Sequence, residues 1–147
     1  MPKSYASTVV NASADTVWSF VRDFANLDEW LASIETCEIQ GDTPADQAGA
    51  VRRLTAQGGE AVFHERLVRF DDTERRYAYE FVDSPLPVRG YRSEIRVAPV
   101  TDSSREQAFV EWWGDFDADE KDVEAMRKFF TKAVYGTGLA DLRNRFG

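Results

Sequence analysis

The chain has 147 residues, of which 43% are hydrophobic and 30% charged, a composition typical of one soluble globular domain. Its formal net charge of −8 argues against binding to nucleic acid or to an anionic membrane surface, because both need a positive field. No stretch approaches the roughly 20 apolar residues of a membrane span, and no apolar signal region follows Met1. Cys37 is the only cysteine, which excludes an intrachain disulfide and suits a reducing compartment. We therefore expect a cytoplasmic protein without membrane insertion.

The first part of the chain is predicted to contain one strand and two short helices. Residues 3–11 alternate in the manner of a strand. Ser13 is a favourable helix N-cap, and apolar residues then recur at helical spacing at positions 17, 20, 21 and 24. Asn26 is predicted to cap a second short helix, which carries Trp30.

The rest of the chain is predicted to form a strand meander and one long helix. The strands are expected at residues 34–40, 50–56, 61–70, 76–82, 91–100 and 107–116. Short polar turns separate most of them, which is typical of an antiparallel meander. Asp119 then begins a long helix with an apolar stripe that ends at Phe146. This order predicts one α+β domain over residues 1–147, with helices on one face of the sheet.

Two glycines, Gly136 and Gly138, interrupt the predicted C-terminal helix, where glycine costs about 1 kcal/mol relative to alanine. They either clear space for a ligand and permit a bend, or allow close packing against the sheet. The sequence leaves both interpretations open.

Several stretches resemble the Bet v 1/START-like superfamily, and in particular its bacterial polyketide cyclase/dehydrase (SRPBCC) group. They are Trp18 with Val21-Arg22-Asp23-Phe24 and Trp30, residues 49–54, Glu65-Arg66-Leu67, Asp71-Asp72, residues 91–95, Glu111-Trp112 and the terminal helix. The resemblance spans the chain and implies a helix-grip fold, in which about seven curved antiparallel strands and a long C-terminal helix enclose a cavity. It also implies a small hydrophobic or amphipathic ligand, such as a lipid, polyketide or aromatic metabolite. Where relatives often have Trp-His-Pro, this chain has Trp30-Leu31-Ala32 and therefore lacks that histidine.

A more distant similarity to the plant abscisic-acid receptors implies two loops at the mouth of the cavity, residues 57–61 and 83–88. The receptors' own loop motifs are absent here. This similarity also favours an inward direction for one set of side chains, to which strand alternation adds Phe63 and Trp113. The predicted ligand-binding set is Phe63, Tyr79, Phe81, Tyr91, Ser93, Trp113, Phe130, Val134 and Gly138.

Three charged residues, Glu65, Glu111 and Arg53, are the candidates for catalysis. The resemblance turns both glutamates inward, and Arg53 is then the natural partner of an inward carboxylate, which is costly when unpaired. As a catalytic set, a glutamate would be the general base, and Tyr91 or Arg53 would stabilise enolate charge in an aldol cyclisation or dehydration. The alternative is a buried ion-pair network that stabilises the sheet.

The remaining polar residues indicate no cofactor and no metal site. His64 is the only histidine and alternates with Glu65, which places it on the outer face, and Cys37 is the only other soft ligand. We expect a monomer or homodimer that binds a small hydrophobic molecule. An aromatase or cyclase using the same cavity is the alternative, and a protein–protein adaptor would instead need an exposed apolar patch.

Overall fold

The computed structural model describes residues 1–147 and contains one sheet of seven antiparallel strands. The strands are β1 (Lys3–Val10), β2 (Ile34–Gln40), β3 (Val51–Ala56), β4 (Val62–Asp71), β5 (Arg76–Asp83), β6 (Arg89–Pro99) and β7 (Ala108–Asp117). Their order in the sheet is β1-β7-β6-β5-β4-β3-β2, so β2 to β7 form a meander and β1 pairs with its last strand. The predicted strands are confirmed. The largest difference lies at β6, which begins at Arg89 instead of residue 91.

Irregular pairing bends this sheet. The register shifts between Ile34 and Thr36 in β2, twice within β4, and between Arg89 and Arg92 in β6. Such bulges increase the local twist and curve a sheet. The concave face receives the helices, which gives the helix-grip arrangement that the resemblance implied.

Two short helices, α1 (Ala14–Val21) and α2 (Leu27–Trp30), connect β1 to β2. The Ser13 side chain accepts a hydrogen bond from the Thr16 backbone N–H, as expected of an N-cap. Asn26 precedes α2 as predicted, but its side chain does not cap that helix. Its amide nitrogen donates to the Phe20 carbonyl instead, 2.8 Å away, and so ties the two helices together.

The C-terminal helix is continuous but changes its winding in the middle. It begins as α3 (Glu120–Lys128), continues as a π-helical segment (Phe129–Gly136) and ends as α4 (Thr137–Arg145). Within the π-helical segment the hydrogen bonds span five residues instead of four, and such segments are frequent at functional sites. The sequence predicted one long helix and did not reveal this change.

The core lies between the sheet and the helices and contains most of the large rings. The indoles of Trp30 and Trp112 stack with centroids 5.1 Å apart, and Trp30 Nε1 donates to the Gly138 carbonyl at 2.9 Å. These contacts tie α2, β7 and α4 together. Gly138 therefore allows close packing against the sheet, the second of the two interpretations that the sequence left open.

None of the helices is both long and apolar enough to cross a membrane. The cytoplasmic location and the oligomeric state stay predictions.

Candidate functional site

A cavity of about 400 Å³ lies between the concave face of the sheet and the C-terminal helix. Sixteen of its 19 lining residues are hydrophobic. Strands β3 to β7 supply one wall and α2 with the start of β2 another. The π-helical segment closes the remaining side with Phe129, Phe130, Ala133 and Val134. Cavities of this volume and character are typical of sites for small molecules.

The exposure of the lining residues shows where the cavity opens. Ser33, Pro85 and Ala133 are solvent-exposed and mark the open end. The loops after β3 and after β5 lie there, as the similarity to the plant receptors implied. In the first loop Gly58 and Gly59 have φ angles of +92° and +74°, a conformation that favours glycine and allows the tight connection.

The closed end is lined by buried side chains, among them Leu54, Tyr79, Trp112 and Phe130. Glu65 also lies here, and it is the one charged residue of the cavity wall. Its side chain is 8% exposed, whereas that of its partner Arg52 is 0% exposed. The carboxylate therefore lies between the guanidinium and the cavity.

Arg52, and not Arg53, is the partner of Glu65. Arg52 Nε donates to Glu65 Oε1 at 2.9 Å, and Nη2 lies 2.7 Å from the same oxygen. Nη1 donates to the Phe24 carbonyl at 3.0 Å. The prediction for Arg53 was wrong because Arg52 stands opposite Glu65 in the β3–β4 register, while Arg53 stands opposite His64. Directly opposed residues share a face, so Arg53 and His64 both lie on the outer face.

Aromatic rings surround the Arg52 guanidinium. It lies over the ring of Phe24 at 4.0 Å and over that of Tyr79 at 4.8 Å. Such contacts stabilise a desolvated cation. Burial, the largest single influence, lowers the pKa of Arg52, but the charge of Glu65 together with the neighbouring Tyr77, Tyr79 and Cys37 raises it, so the guanidinium stays charged.

Burial also acts on Glu65, in the opposite sense. It raises the pKa of the carboxyl group above its usual value, and the charge and hydrogen bond of Arg52 oppose that rise. Burial likewise holds the pKa values of Tyr79 and Tyr91 well above the ordinary tyrosine value. The tyrosines of the wall are therefore neutral at physiological pH, and Glu65, paired with Arg52, is the one acidic side chain of the wall.

A stack of three rings forms part of the cavity wall. Tyr91 lies between Phe81 and Phe130, with centroid distances of 4.2 Å and 4.5 Å. Its hydroxyl is hydrogen-bonded to that of Tyr135, a buried residue of the π-helical segment. This hydrogen bond joins β6 to the C-terminal helix and gives the Tyr91 hydroxyl a partner within the protein.

Six residues of the predicted ligand-binding set line the cavity: Phe63, Tyr79, Phe81, Tyr91, Phe130 and Val134. Two others, Ser93 and Gly138, lie behind the wall. The Ser93 hydroxyl donates to the Trp113 carbonyl at 2.8 Å and accepts from Trp112 Nε1 at 3.1 Å. The contact of Gly138 with Trp112 keeps it away from the cavity. Their assignment to the wall was wrong because the indole of Trp112 stands in front of them.

The predicted inward face of β7 was wrong, because the opposite set of side chains faces the core. Glu111 and Trp113 lie on the outer face, where Glu111 accepts a hydrogen bond from the Tyr5 hydroxyl at 2.8 Å and faces Arg96. Trp112 is the inward residue, fully buried and part of the cavity wall. A signal for this direction exists in the sequence, because Val110, Trp112 and Phe116 form the more apolar of the two alternating sets.

The remaining acidic pair, Asp71 and Asp72, has structural partners. Asp71 accepts from the backbone N–H groups of Thr73 and Glu74 in the turn after β4. Asp72 accepts from Trp18 Nε1 at 2.8 Å and from the Arg22 guanidinium with both oxygens at 3.0 Å. No group of three or more His, Cys, Asp or Glu side chains is arranged to hold a metal ion.

Known structures and families resemble this chain over its whole length. The solved structure of XoxI from Bacillus cereus is 31% identical, with a TM-score of 0.87 over 99% of this chain and 96% of that one. A protein from Nitrosospira multiformis is 32% identical, with a TM-score of 0.82 over 99% and 97%. A START superfamily protein from Mycobacterium smegmatis is 17% identical and shares the fold, with a TM-score of 0.78 over 99% and 97%. The comparison with curated proteins returned no match.

The family described as polyketide cyclase/dehydrase and lipid transport matches residues 1–147. This match agrees with the helix-grip fold and with the cavity beneath the C-terminal helix. The chain therefore belongs to the polyketide cyclase/dehydrase and lipid transport family.

Proposed function

We propose that this protein binds one small hydrophobic or amphipathic molecule, such as a lipid, polyketide or aromatic metabolite, in the cavity beneath its C-terminal helix. One observation carries the proposal: a cavity of about 400 Å³ in which 16 of 19 lining residues are hydrophobic. Outside it, the exposed large hydrophobic residues are Met1, Tyr5, Val9 and Val82. The apolar surface is thus gathered inside the fold, which favours a ligand-binding protein over a protein–protein adaptor.

Fluorescence of N-phenyl-1-naphthylamine tests this proposal, because the dye brightens when it leaves water for an apolar site. We expect saturable binding to the wild type and loss of binding in Val134→Trp, whose indole would fill the cavity. Ala125→Trp is the matched control, since Ala125 is an exposed residue of α3 outside the wall. Equal binding by the two variants would contradict the proposal, and native mass spectrometry of protein from its own host would identify a retained ligand.

A second candidate function is an aromatase, cyclase or dehydrase reaction with Glu65 as general base. The observation that favours it is a carboxylate at the closed end of an apolar cavity, with its pKa raised by burial. Binding has the stronger support, because Glu111 and Arg53 lie outside the cavity and Arg52 is screened by Glu65.

Exchange of the α-protons of 2-decanone in D₂O tests the second candidate. A catalytic Glu65 predicts faster exchange with the wild type than in buffer, and no acceleration with Glu65→Gln, although both bind the ketone. Equal exchange rates with the two proteins would contradict a general-base role for Glu65.

A further inference from the structure

We infer that the ligand of the cavity is a neutral molecule whose apolar body ends in a hydrogen-bond donor, such as an alcohol or phenol, and that this donor contacts Glu65 Oε2. The inference rests on the proposed function and names the class of ligand. It excludes carboxylates of the fatty-acid type as the preferred occupants.

The two oxygens of Glu65 differ in their contacts with Arg52. Both contacts from Arg52 go to Oε1, at 2.9 Å from Nε and 2.7 Å from Nη2. Oε2 takes part in neither contact. Since Glu65 is also a cavity-lining residue, Oε2 is the acceptor that a ligand at the closed end would meet.

Neither the Tyr91 hydroxyl nor the Arg52 guanidinium is free to meet a polar group of the ligand. The Tyr91 hydroxyl is already paired with that of Tyr135. Arg52 is 0% exposed and lies behind Glu65, so its guanidinium does not reach the cavity. An anionic ligand would therefore meet the carboxylate before it met any cation, whereas a hydroxyl group would donate to it.

Glu65 lies away from the opening of the cavity. The exposed lining residues Ser33, Pro85 and Ala133 mark the open end, and Glu65 lies among the buried ones. A ligand whose donor reaches Oε2 must therefore enter with its polar end first and leave its apolar body against the rings of the wall. A hydrogen bond to a buried carboxylate is among the stronger kinds, because the acceptor is charged.

Displacement of N-phenyl-1-naphthylamine by three compounds of similar size tests the inference. They are 1-decanol, which has a donor, methyl nonyl ether, which has none, and decanoate, which is an anion. We expect 1-decanol to displace the dye from the wild type at roughly tenfold lower concentration than either other compound, which corresponds to about 1.4 kcal/mol. Equal potency of the three compounds would overturn the inference.

Glu65→Gln makes the same test from the protein's side. It removes the negative charge and leaves Arg52 without its counter-ion, so we expect decanoate to become at least as potent as 1-decanol. Glu111→Gln is the matched control, because it removes a carboxylate from the outer face, and it should keep the wild-type order. An unchanged order in Glu65→Gln would overturn the inference.

A second variant serves in case Glu65→Gln does not fold. The double variant Arg52→Met/Glu65→Leu replaces the ion pair by apolar groups. With this variant, 1-decanol and methyl nonyl ether should displace the dye at similar concentrations. A retained tenfold advantage would overturn the inference. Failure of the proposed function looks different: the dye then does not bind the wild type, or Val134→Trp does not reduce its binding, and the inference falls with it.

Discussion

Gly138 lies so close to the indole of Trp112 that a Cβ atom at this position would stand 2.7 Å from Cζ3. The same Cβ would lie 2.9 Å from Leu31 Cδ2. Real Cβ atoms do not approach ring carbons this closely, so the absence of a side chain is what lets α4 pack against the Trp112 side chain of β7. The Trp30 hydrogen bond to the Gly138 carbonyl depends on this approach.

We therefore expect Gly138→Ala to destabilise the protein, although alanine is the better helix former. Overpacking of a core costs about 1–3 kcal/mol, and the gain in helix propensity returns about 1 kcal/mol. The expected net loss in the free energy of unfolding is about 1 kcal/mol and at most about 2 kcal/mol, measured by urea denaturation. Asn144→Ala, at an exposed site of the same helix, should be neutral or stabilising. A Gly138→Ala variant as stable as the wild type would contradict this account of the contact.

The Arg52–Glu65 pair predicts a pH-dependent loss of stability in Arg52→Met. Removing one partner of a buried ion pair costs about 3–5 kcal/mol, because the other charge is left unpaired. Burial already raises the pKa of Glu65, and without Arg52 it rises further. When the pKa of a carboxyl group is higher in the folded than in the unfolded state, the protein becomes less stable as the pH rises. This loss occurs between the pKa of the unfolded state, about 4.3, and the higher pKa of the folded state.

The deficit of Arg52→Met relative to the wild type should therefore be larger at pH 8 than at pH 5. Urea denaturation at the two pH values measures it. Adding Glu65→Leu to Arg52→Met should remove this difference, because no buried carboxyl group then remains. A deficit that stays constant with pH would show that Glu65 does not respond to the loss of Arg52.

Asp72 joins α1 to the turn between β4 and β5, and its substitution should have the opposite pH dependence. Its hydrogen bonds from Arg22 and Trp18 hold the pKa of this carboxyl group below its ordinary value. The stabilisation is therefore complete above the unfolded pKa, about 3.9, and is lost as the pH falls through the lower folded value. Because the pair is exposed, we expect Asp72→Asn to cost no more than about 1 kcal/mol at pH 7.

Thermal or urea unfolding at pH 7 and near pH 2.5 measures this effect. The difference between Asp72→Asn and the wild type should shrink at the lower pH. Asp102→Asn removes a charge from an exposed loop and should have little effect at either pH. A difference in stability between Asp72→Asn and the wild type that grows as the pH falls would contradict the expected pH dependence.

Glu111 and Arg53, which the sequence presented as catalytic candidates, should be dispensable for binding in the cavity. Both lie on the outer face of the sheet, opposite Arg96 and His64 respectively. We expect Glu111→Gln and Arg53→Gln to change the dissociation constant for N-phenyl-1-naphthylamine by no more than about twofold, as for ordinary surface substitutions. A tenfold loss in either variant would mean that the strand faces are assigned wrongly.

The element order and the fold class could be predicted from the sequence because they depend on local patterns. Alternation along residues 34–40, helical spacing from Ser13 onward and the polar turns between strands are all short-range signals. They placed every strand close to its observed limits. Only the family resemblance predicted the cavity, because no local sequence pattern indicates one.

Strand alternation by itself divided side chains into two faces but did not say which face is inward. On β4 and β5 the inward direction came from the similarity to the plant receptors, and Phe63, Tyr79 and Phe81 do line the cavity. On β3 the adjacent residues Arg52 and Arg53 are chemically identical, so only the pairing of Arg52 with Glu65 separates them. A shift of one residue turns every side chain of a strand to the other face.

The sequence by itself thus determined the elements, their order and the aromatic character of the interior. Tertiary structure alone decided that Arg52 is the buried partner of Glu65, that Trp112 and not Glu111 faces the cavity, and that the C-terminal helix passes through a π-helical segment. These features depend on cross-strand register and on contacts between residues far apart in the chain. Glu65 remains at the centre of the candidate site, since it is the one charge that the fold places against the cavity.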